Sequence, residues 1–350
     1  MDNSSQRKIL RVSPACEIPQ LAGEITSALV GDGPTLGFGE ITSEFAAHYA
    51  AVVIGTSGSS GSPKEVALTA TALISSARAS NKFINAKPGE TWSLLLPLTH
   101  IAAVNVIIRA IELGTLPIDL RNHEGEYPKA NYTSIVPTQL FRALNGDVRL
   151  LSHLKSAKTV LVGGAALSQS LRNQAELAGI KVVTTYGMTE TCGGCVYDGE
   201  VLDGVAIEIR NGKIAIRGPI LASSVSLDAG WYETSDLGEF KNDKLIVLGR
   251  ADDVIISGGE NLSLNAVEAS LSAAFVDVEF AAFSIEDPQW GDSLQIAVVG
   301  TVSDEELVAR LESDLGSFAK PKGIHRLTSL PLLGIGKVDR KSLAKGVAHE

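Results

Sequence analysis

The chain has 350 residues, a formal net charge of −10, 45% hydrophobic residues and three cysteines. That length holds one large and one small domain around a sizeable core, and three cysteines are too few for a disulfide scaffold. The acidic balance argues against a general nucleic-acid binder, although a local basic pocket is compatible with it. Met1-Asp2-Asn3-Ser4-Ser5 lacks the apolar run of a signal peptide, and no apolar stretch is long enough to span a bilayer. The expected setting is a reducing cytoplasm without integral membrane association.

In chain order, residues 22–30 read as a helix in a short α/β lead-in. The segment Val53-Ile54-Gly55-Thr56-Ser57-Gly58-Ser59-Ser60-Gly61-Ser62-Pro63-Lys64 is an apolar strand running into a Gly/Ser/Thr loop that ends in Pro-Lys. Backbone N–H groups, hydroxyls and one ammonium in a small volume suit a polyphosphate. The spacing is not that of a Walker A loop. Residues 67–80 read as an Ala- and Leu-rich helix, 92–96 as a buried strand, 104–113 as an apolar helix and 116–120 as a strand. Strands follow at 132–136, 159–162 and 181–185, with a helix opening at Pro137. This alternation argues a doubly wound, mostly parallel α/β core whose strand-end loops bind ligands.

Beyond Val201 the pattern changes to short strands at 206–210, 213–217 and 245–248, with Asn211-Gly212 as a hairpin signal. This reads as a small β subdomain. A separate α+β unit follows, with helices at 265–275 and 303–315, the second capped by Ser303, and strands at 278–285 and 295–302. The boundary falls at Asp252, giving an N-terminal domain over 1–251 and a C-terminal domain over 252–350. Cys192-Gly193-Gly194-Cys195 has the C-x-x-C form, but neither a thioredoxin-like context nor two further zinc ligands accompany it, so two small, semi-buried thiols are expected.

Four further segments accompany the Gly/Ser loop: Thr185-Tyr186-Gly187-Met188-Thr189-Glu190; Trp231-Tyr232-Glu233-Thr234-Ser235-Asp236-Leu237-Gly238; the run from Leu248-Gly249-Arg250 to Ser257-Gly258-Gly259-Glu260-Asn261; and Gly334-Ile335-Gly336-Lys337-Val338-Asp339-Arg340. Five such segments in this order resemble the acyl-adenylate-forming enzymes over nearly the whole chain. The resemblance implies two half-reactions: a carboxylate attacks the α-phosphorus of ATP and releases pyrophosphate, then a thiol, here CoA, displaces AMP. It assigns Thr56, Ser57, Gly58, Ser59, Ser60, Gly61 and Lys64 to the β- and γ-phosphates, Glu190 to Mg²⁺ and Thr189 to the α-phosphate. Tyr186, followed by Gly187, would stack on adenine, and Gly163, Gly164 and Ala165 would bring backbone close to the purine. Asp236 would accept from both ribose hydroxyls, with Arg250 supporting the same ribose.

The resemblance further implies that Lys337 bridges carboxylate and phosphate during adenylation. The mobile C-terminal domain would then rotate about Asp252, so that the loop bearing Gly258 and Gly259 lines the thiol's path. Position 65 is Glu where the family more often has Gly. A carboxylate beside a triphosphate is unfavourable, so Glu65 is expected to point away or to pair with a neighbour.

For the acid, Leu96-Pro97-Leu98-Thr99-His100 resembles the family's substrate-pocket segment. The segment from Ser134 to Leu140, the segment from Thr185 to Val205 and the compact length resemble short actinobacterial-type members of the 2-succinylbenzoate–CoA ligase branch of menaquinone biosynthesis. Such an acid keeps its aromatic carboxylate, which needs donors. Ser134, Thr138 and Gln139 are the candidates, with Arg109 as a further one for which an ion pair to Glu112 competes; His100 is assigned to the substrate pocket through its segment. The alternatives are a ligase for another acid, such as a benzoate or a short fatty acid, and a catalytically silent binding module. The expected partners are the acid, ATP and CoA, with no nucleic acid, and a homodimer is left open.

Overall fold

The computed structural model describes residues 6–57, 63–257, 260–275, 278–287, 291–332 and 338–347. The predicted loop residues Gly58, Ser59, Ser60 and Gly61, the tunnel residues Gly258 and Gly259, and Lys337 lie outside these. Four sheets organise the chain. In the first, strands Gln6–Arg11, Thr35–Phe38 and Ala50–Ser57 run parallel, and Phe45–Ala47 and Pro63–Thr69 close its two edges antiparallel. The helix Ile18–Val30 makes the crossover. Its Ile18, Leu21, Ala22, Ile25 and Ala28 recur at helical spacing and are all buried, and Gly31 ends it in the left-handed region at φ 88°.

The second sheet is ordered Glu200–Val201, Gly193–Tyr197, Val182–Met188, Thr159–Val162, Tyr132–Ile135, Trp92–Leu94, Ile118–Asp119. Its last five strands are parallel, and Gly193–Tyr197 turns back antiparallel on Val182–Met188. One apolar cluster joins the first two sheets, and the helices Ile18–Val30, Ala70–Phe83 and Ile101–Glu112 contribute to it. The other face of the second sheet is covered by Pro137–Leu144, Val148–Ser156 and Gln169–Leu177, which supply Leu140, Leu150, Leu154 and Ala175 to a second cluster. Helices on both faces of a mainly parallel sheet are the doubly wound arrangement that the strand–helix alternation predicts.

The helix Ile101–Glu112 is buried nearly all round: Val104, Val106, Ile107, Ile108 and Ala110 have no exposed surface. Two polar side chains go into the core with them, Asn105 and Arg109. Four residues apart, they share one helix face.

The third sheet is an antiparallel meander of Ala206–Arg210, Lys213–Arg217, Tyr232–Lys241 and Lys244–Arg250. Its first turn is Asn211-Gly212, both left-handed at φ 50° and 79°, as the hairpin signal requires. The fourth sheet holds Glu260–Ser263, Val254–Ser257, Gly291–Val299 and Glu279–Asp287, with Gly323–Arg326 added parallel to Gly291–Val299. The helices Leu264–Ala274 and Asp304–Leu315 cover it through Val267, Leu271, Leu307 and Leu311. Ser303 caps the second in a reciprocal box with Glu306. Among the described residues, two apolar clusters lie wholly within 255–347.

Three local expectations are corrected. Ala67, Leu68 and Thr69 are strand, not helix, because pairing with Ala50–Ser57 overrides the helix propensity of Ala and Leu. Thr69 then caps the helix Ala70–Phe83 by accepting from the Ala72 N–H. The strand expected at 181–185 runs on through Tyr186, Gly187 and Met188, and a single 3₁₀ turn over Thr189–Thr191 follows it. Cys192 and Cys195 are fully buried rather than semi-buried and belong to different apolar clusters. Burial pushes both thiols up, Cys195 to about 12. No helix among the described residues is long and apolar enough to cross a membrane.

Candidate active site

The strand Val182–Met188 carries the first part of the site. Gly187 is dictated by packing: a Cβ there would lie 2.0 Å from the Gly193 carbonyl oxygen. The chain then turns through Thr189–Thr191 into Cys192, which is left-handed at φ 50°. Buried hydrogen bonds hold this turn. Thr191 Oγ1 accepts from the Met188 N–H at 2.9 Å and donates to Gly193 O at 2.7 Å. The Cys192 carbonyl accepts from Ser76 Oγ at 2.8 Å and from Asn105 Nδ2 at 2.6 Å. The Glu190 carbonyl accepts from the Ala222 N–H at 2.8 Å. A non-glycine residue at positive φ is strained, and these acceptors over-determine it.

Into this framework the fold brings residues far apart in sequence. Lys64 Nζ donates to Glu190 Oε1 at 3.0 Å, with Glu190 mostly buried and Lys64 half-exposed. Tyr186 Oη donates to Asp236 Oδ2 at 2.7 Å, and Asp236 Oδ1 lies 3.8 Å from Arg250 Nη1. Arg250 faces Asp236 across the ladder and forks onto both oxygens of Asp252, at 2.7 and 2.8 Å. Burial, then the Asp236 charge, holds the Tyr186 hydroxyl well above its ordinary value. Tyr232 is pushed up to about 12, first by burial and then by the charges of Glu190 and Asp236.

The remaining predicted residues sit as follows. Thr56 Oγ1 donates to Lys64 O at 3.0 Å across the Ala50–Ser57 and Pro63–Thr69 hairpin, which Ser57 ends. Gly163 packs on Thr185, whose Oγ1 would be 2.2 Å from a Cβ at 163, while Gly164 and Ala165 are exposed at the neighbouring strand end. His100 precedes the helix Ile101–Glu112, and burial lowers its pKa. Ser134 is buried, and its Oγ accepts from Arg109 Nη1 at 3.4 Å. Thr138 is exposed. Gln139 uses both ends of its amide locally, accepting from the Val136 N–H at 3.1 Å and donating to Leu95 O at 3.2 Å.

Arg109 does not pair with Glu112; Glu112 is taken by Arg78. The Arg109 guanidinium is 4% exposed, lies over the Trp92 ring at 5.2 Å and donates to Ser134 Oγ and, at 3.0 Å, to Tyr197 Oη. Among the described residues no carboxylate forms an ion pair with it, and Arg109 Nε and Trp92 Nε1 are buried donors without an acceptor. Sequence reasoning missed Asn105, Ser76, Tyr197 and Tyr232 at this site. For Asn105 and Arg109 a signal was present, two polar residues four apart in an otherwise apolar helix.

The doubly wound sheets, with Lys64, Tyr186, Asp236 and Arg250 gathered from four separate strands and Glu190 from a turn, define an α/β enzyme of the nucleotide-using kind. The chain belongs to the AMP-binding enzyme family, which it matches over residues 17–216. It is 38% identical over 331 residues to a probable 2-succinylbenzoate–CoA ligase of Mycobacterium tuberculosis, covering 86% of this chain and 85% of that protein. Wild-type E. coli MenE, solved with a phenylether-linked analogue of OSB-AMS, superposes with a TM-score of 0.70 at 25% identity, over 98% of this chain and 83% of that one. The o-succinylbenzoate CoA synthetase of Bacillus subtilis, solved with the acyl-adenylate intermediate OSB-AMP, is a likeness in fold: TM-score 0.72, 24% identity, 92% of this chain and 80% of that one.

Glu65 satisfies the expectation that it pairs with a neighbour. Its Oε1 accepts from the Thr42 N–H, the Thr42 hydroxyl and the Ser43 N–H at 2.6, 2.8 and 3.0 Å. Burial alone would raise this carboxyl, but the hydrogen bonds from Ser43 and Thr42 outweigh it and hold the pKa at about 2. A folded-state value below the unfolded one contributes stability above about pH 4.5 that fades as pH falls toward 2. In denaturant titrations Glu65→Gln is therefore expected to be less stable than the parent at pH 7, with the gap narrowing steadily below pH 4.5. A penalty independent of pH would show that the anion contributes nothing.

Proposed function

We infer that this protein is an ATP-dependent 2-succinylbenzoate–CoA ligase of menaquinone biosynthesis. The acid's aliphatic carboxylate attacks the α-phosphorus of ATP, forming a mixed anhydride as pyrophosphate leaves. The CoA thiol then attacks the acyl carbon and AMP leaves. The observation that carries the acid is Arg109: a buried guanidinium beside Ser134 with no carboxylate paired to it among the described residues. An unpaired buried cation is costly, and an aromatic carboxylate supplies the missing charge and accepts from the orphaned donors.

In this reading the N–H groups and hydroxyls of Thr56, Ser57, Gly58, Ser59, Ser60 and Gly61 hold the β- and γ-phosphates, and Lys64 exchanges its partner Glu190 for phosphate oxygen. Glu190 suits Mg²⁺, which is bound through one or two carboxylates plus substrate phosphates. The ion would neutralise phosphate charge. Thr189 meets the α-phosphate, Asp236 accepts from the ribose hydroxyls with Arg250 beside it, and the Tyr186 ring, fixed through its hydroxyl, covers the adenine at Gly163, Gly164 and Ala165. Residues 1–251 and 252–350 form two domains that move about Asp252. Lys337 serves the first half-reaction, and Gly258 and Gly259 line the CoA path in the second.

The deciding experiment is AMP release with ATP and CoA across a panel of acids. 2-Succinylbenzoate is expected to exceed its analogue lacking the ring carboxylate by roughly thirtyfold in kcat/KM, the scale of a buried polar group left unpaired, ~2 kcal/mol. Parity between the two sinks the acid assignment.

Asp236→Ala removes a charged acceptor. The KM for ATP is expected to rise at least about tenfold, the scale of a hydrogen bond to a charged group, with the CoA dependence intact. An unchanged ATP dependence takes Asp236 out of the nucleotide site.

Lys337→Ala is expected to slow adenylation by about a hundredfold or more, while sparing thioester formation from supplied acyl-adenylate. Equal loss in both half-reactions would contradict the alternation of Lys337 with the glycine loop.

A further inference from the structure

The Arg109 guanidinium is held by more than the acid site, and the holder is a residue to which no role is yet assigned. Tyr197 ends the strand Gly193–Tyr197 and is fully buried. Its hydroxyl lies 3.0 Å from Arg109 Nη2 and 2.8 Å from Ser80 Oγ. A guanidinium can only donate, so the tyrosine oxygen accepts from Arg109, and Ser80 Oγ is the other hydrogen-bond partner of that hydroxyl. The three groups form one chain: Arg109, Tyr197, Ser80.

The tyrosine is itself held rigidly. Phe83 packs edge-on against its ring, with centroids 5.2 Å apart at 78°. The ring also folds back over Gly194, where a Cβ would come within 2.6 Å of it. Position 194 must therefore be glycine for Tyr197 to reach Arg109, which gives the second glycine of the Cys-Gly-Gly-Cys segment a purpose unrelated to its cysteines. Asn81 Nδ2 donates to the Arg109 carbonyl at 3.0 Å, so the end of the helix Ala70–Phe83 fastens both the backbone and, through Ser80 and Tyr197, the head group of Arg109.

We propose that Tyr197 is a specificity-determining positioning residue: it aims the Arg109 guanidinium at the retained carboxylate of the acid without touching the acid itself. The inference rests on the acid reading above. A long, flexible cation discriminates poorly between substrates unless its fork is pre-oriented, and a bond at one Nη leaves the other edge of the guanidinium directed.

The test is Tyr197→Phe, which keeps the ring against Phe83 and Gly194 and removes only the hydroxyl. The KM for 2-succinylbenzoate is expected to rise about tenfold with kcat and the KM for ATP little changed, whereas kcat/KM for the analogue lacking the ring carboxylate stays the same. In an Arg109→Ala background the same substitution is expected to have no further effect on either acid. Ser80→Ala, which removes the tyrosine hydroxyl's other hydrogen-bond partner, is expected to shift KM in the same direction, and it decides the question if Tyr197→Phe fails to fold. Equal losses on both acids would mark Tyr197 as merely structural, and no change would show that Arg109 orients itself; either overturns the proposal. If the parent enzyme already treats the two acids alike, the acid reading fails first, before any substitution is made, and this inference falls with it.

Discussion

The Arg109 guanidinium, 4% exposed and without a carboxylate partner among the described residues, is a costly group to bury, and much of the surrounding structure answers to it. Desolvating a cation costs several kcal/mol unless dipoles and hydrogen bonds replace its water. Here the replacements are the Trp92 ring face, Ser134 Oγ and Tyr197 Oη, drawn from three strands of one sheet. None can move independently, because Trp92 and Ser134 are in register with each other's strands and Tyr197 is locked over Gly194. The helix that carries Arg109 is otherwise apolar, so it cannot rotate to expose the charge without exposing Val104, Ile107 and Ile108. The hydrophobic core therefore holds the cation in place at a cost in desolvation, which on the proposed reading is given for selectivity. Such a trade of stability for function is common at active sites.

The nucleotide end shows the opposite device. Lys64 and Glu190 neutralise each other at 3.0 Å, and Asp236 shares its charge with Tyr186 and Arg250. These pairs are partly open to solvent, so each is weak and readily exchanged. On the proposed assignment a phosphate competes for Lys64 and a divalent cation for Glu190, both outside the apolar core. One end of the site is thus pre-formed at a cost, and the other is assembled from interchangeable partners.

How much of this was legible in the sequence follows from the range of each interaction. Asn211-Gly212 announced its hairpin because the turn's geometry is carried by two adjacent residues. The motif around Asp236 was legible as chemistry, yet the strand Tyr232–Lys241 that bears it was not, since its Glu, Asp, Gly and Lys residues have low strand preference and only pairing on both sides makes them strand. Residues 67–69 were lost the same way, to a partner strand that local propensity does not register. Arg109 was hardest. A local partner, Glu112, stood three residues away, while the real partners lie 25 and 88 residues off. Cys192 and Cys195 share a spacing but not a neighbourhood, because a left-handed residue and a returning strand send them into different clusters.

The segment from Glu190 to Tyr197 joins the two ends of the site. At its start Cys192 O is gripped by Ser76 and Asn105, and at its finish Tyr197 Oη meets Ser80 and Arg109. Ser76 and Ser80 are one helical turn apart on Ala70–Phe83, and Asn105 and Arg109 are one turn apart on Ile101–Glu112. Two helices thus present matched pairs of polar groups to one strand, a four-point fastening in which the strand's own pitch sets the separation of metal-side and acid-side residues. A shift of either helix along its axis would displace Glu190 and Arg109 together. The distance between the phosphate end and the ring-carboxylate end is therefore fixed by two rigid helices rather than by a loop, which is what an enzyme needs if it is to activate one carboxylate of a molecule while holding the other at a set distance.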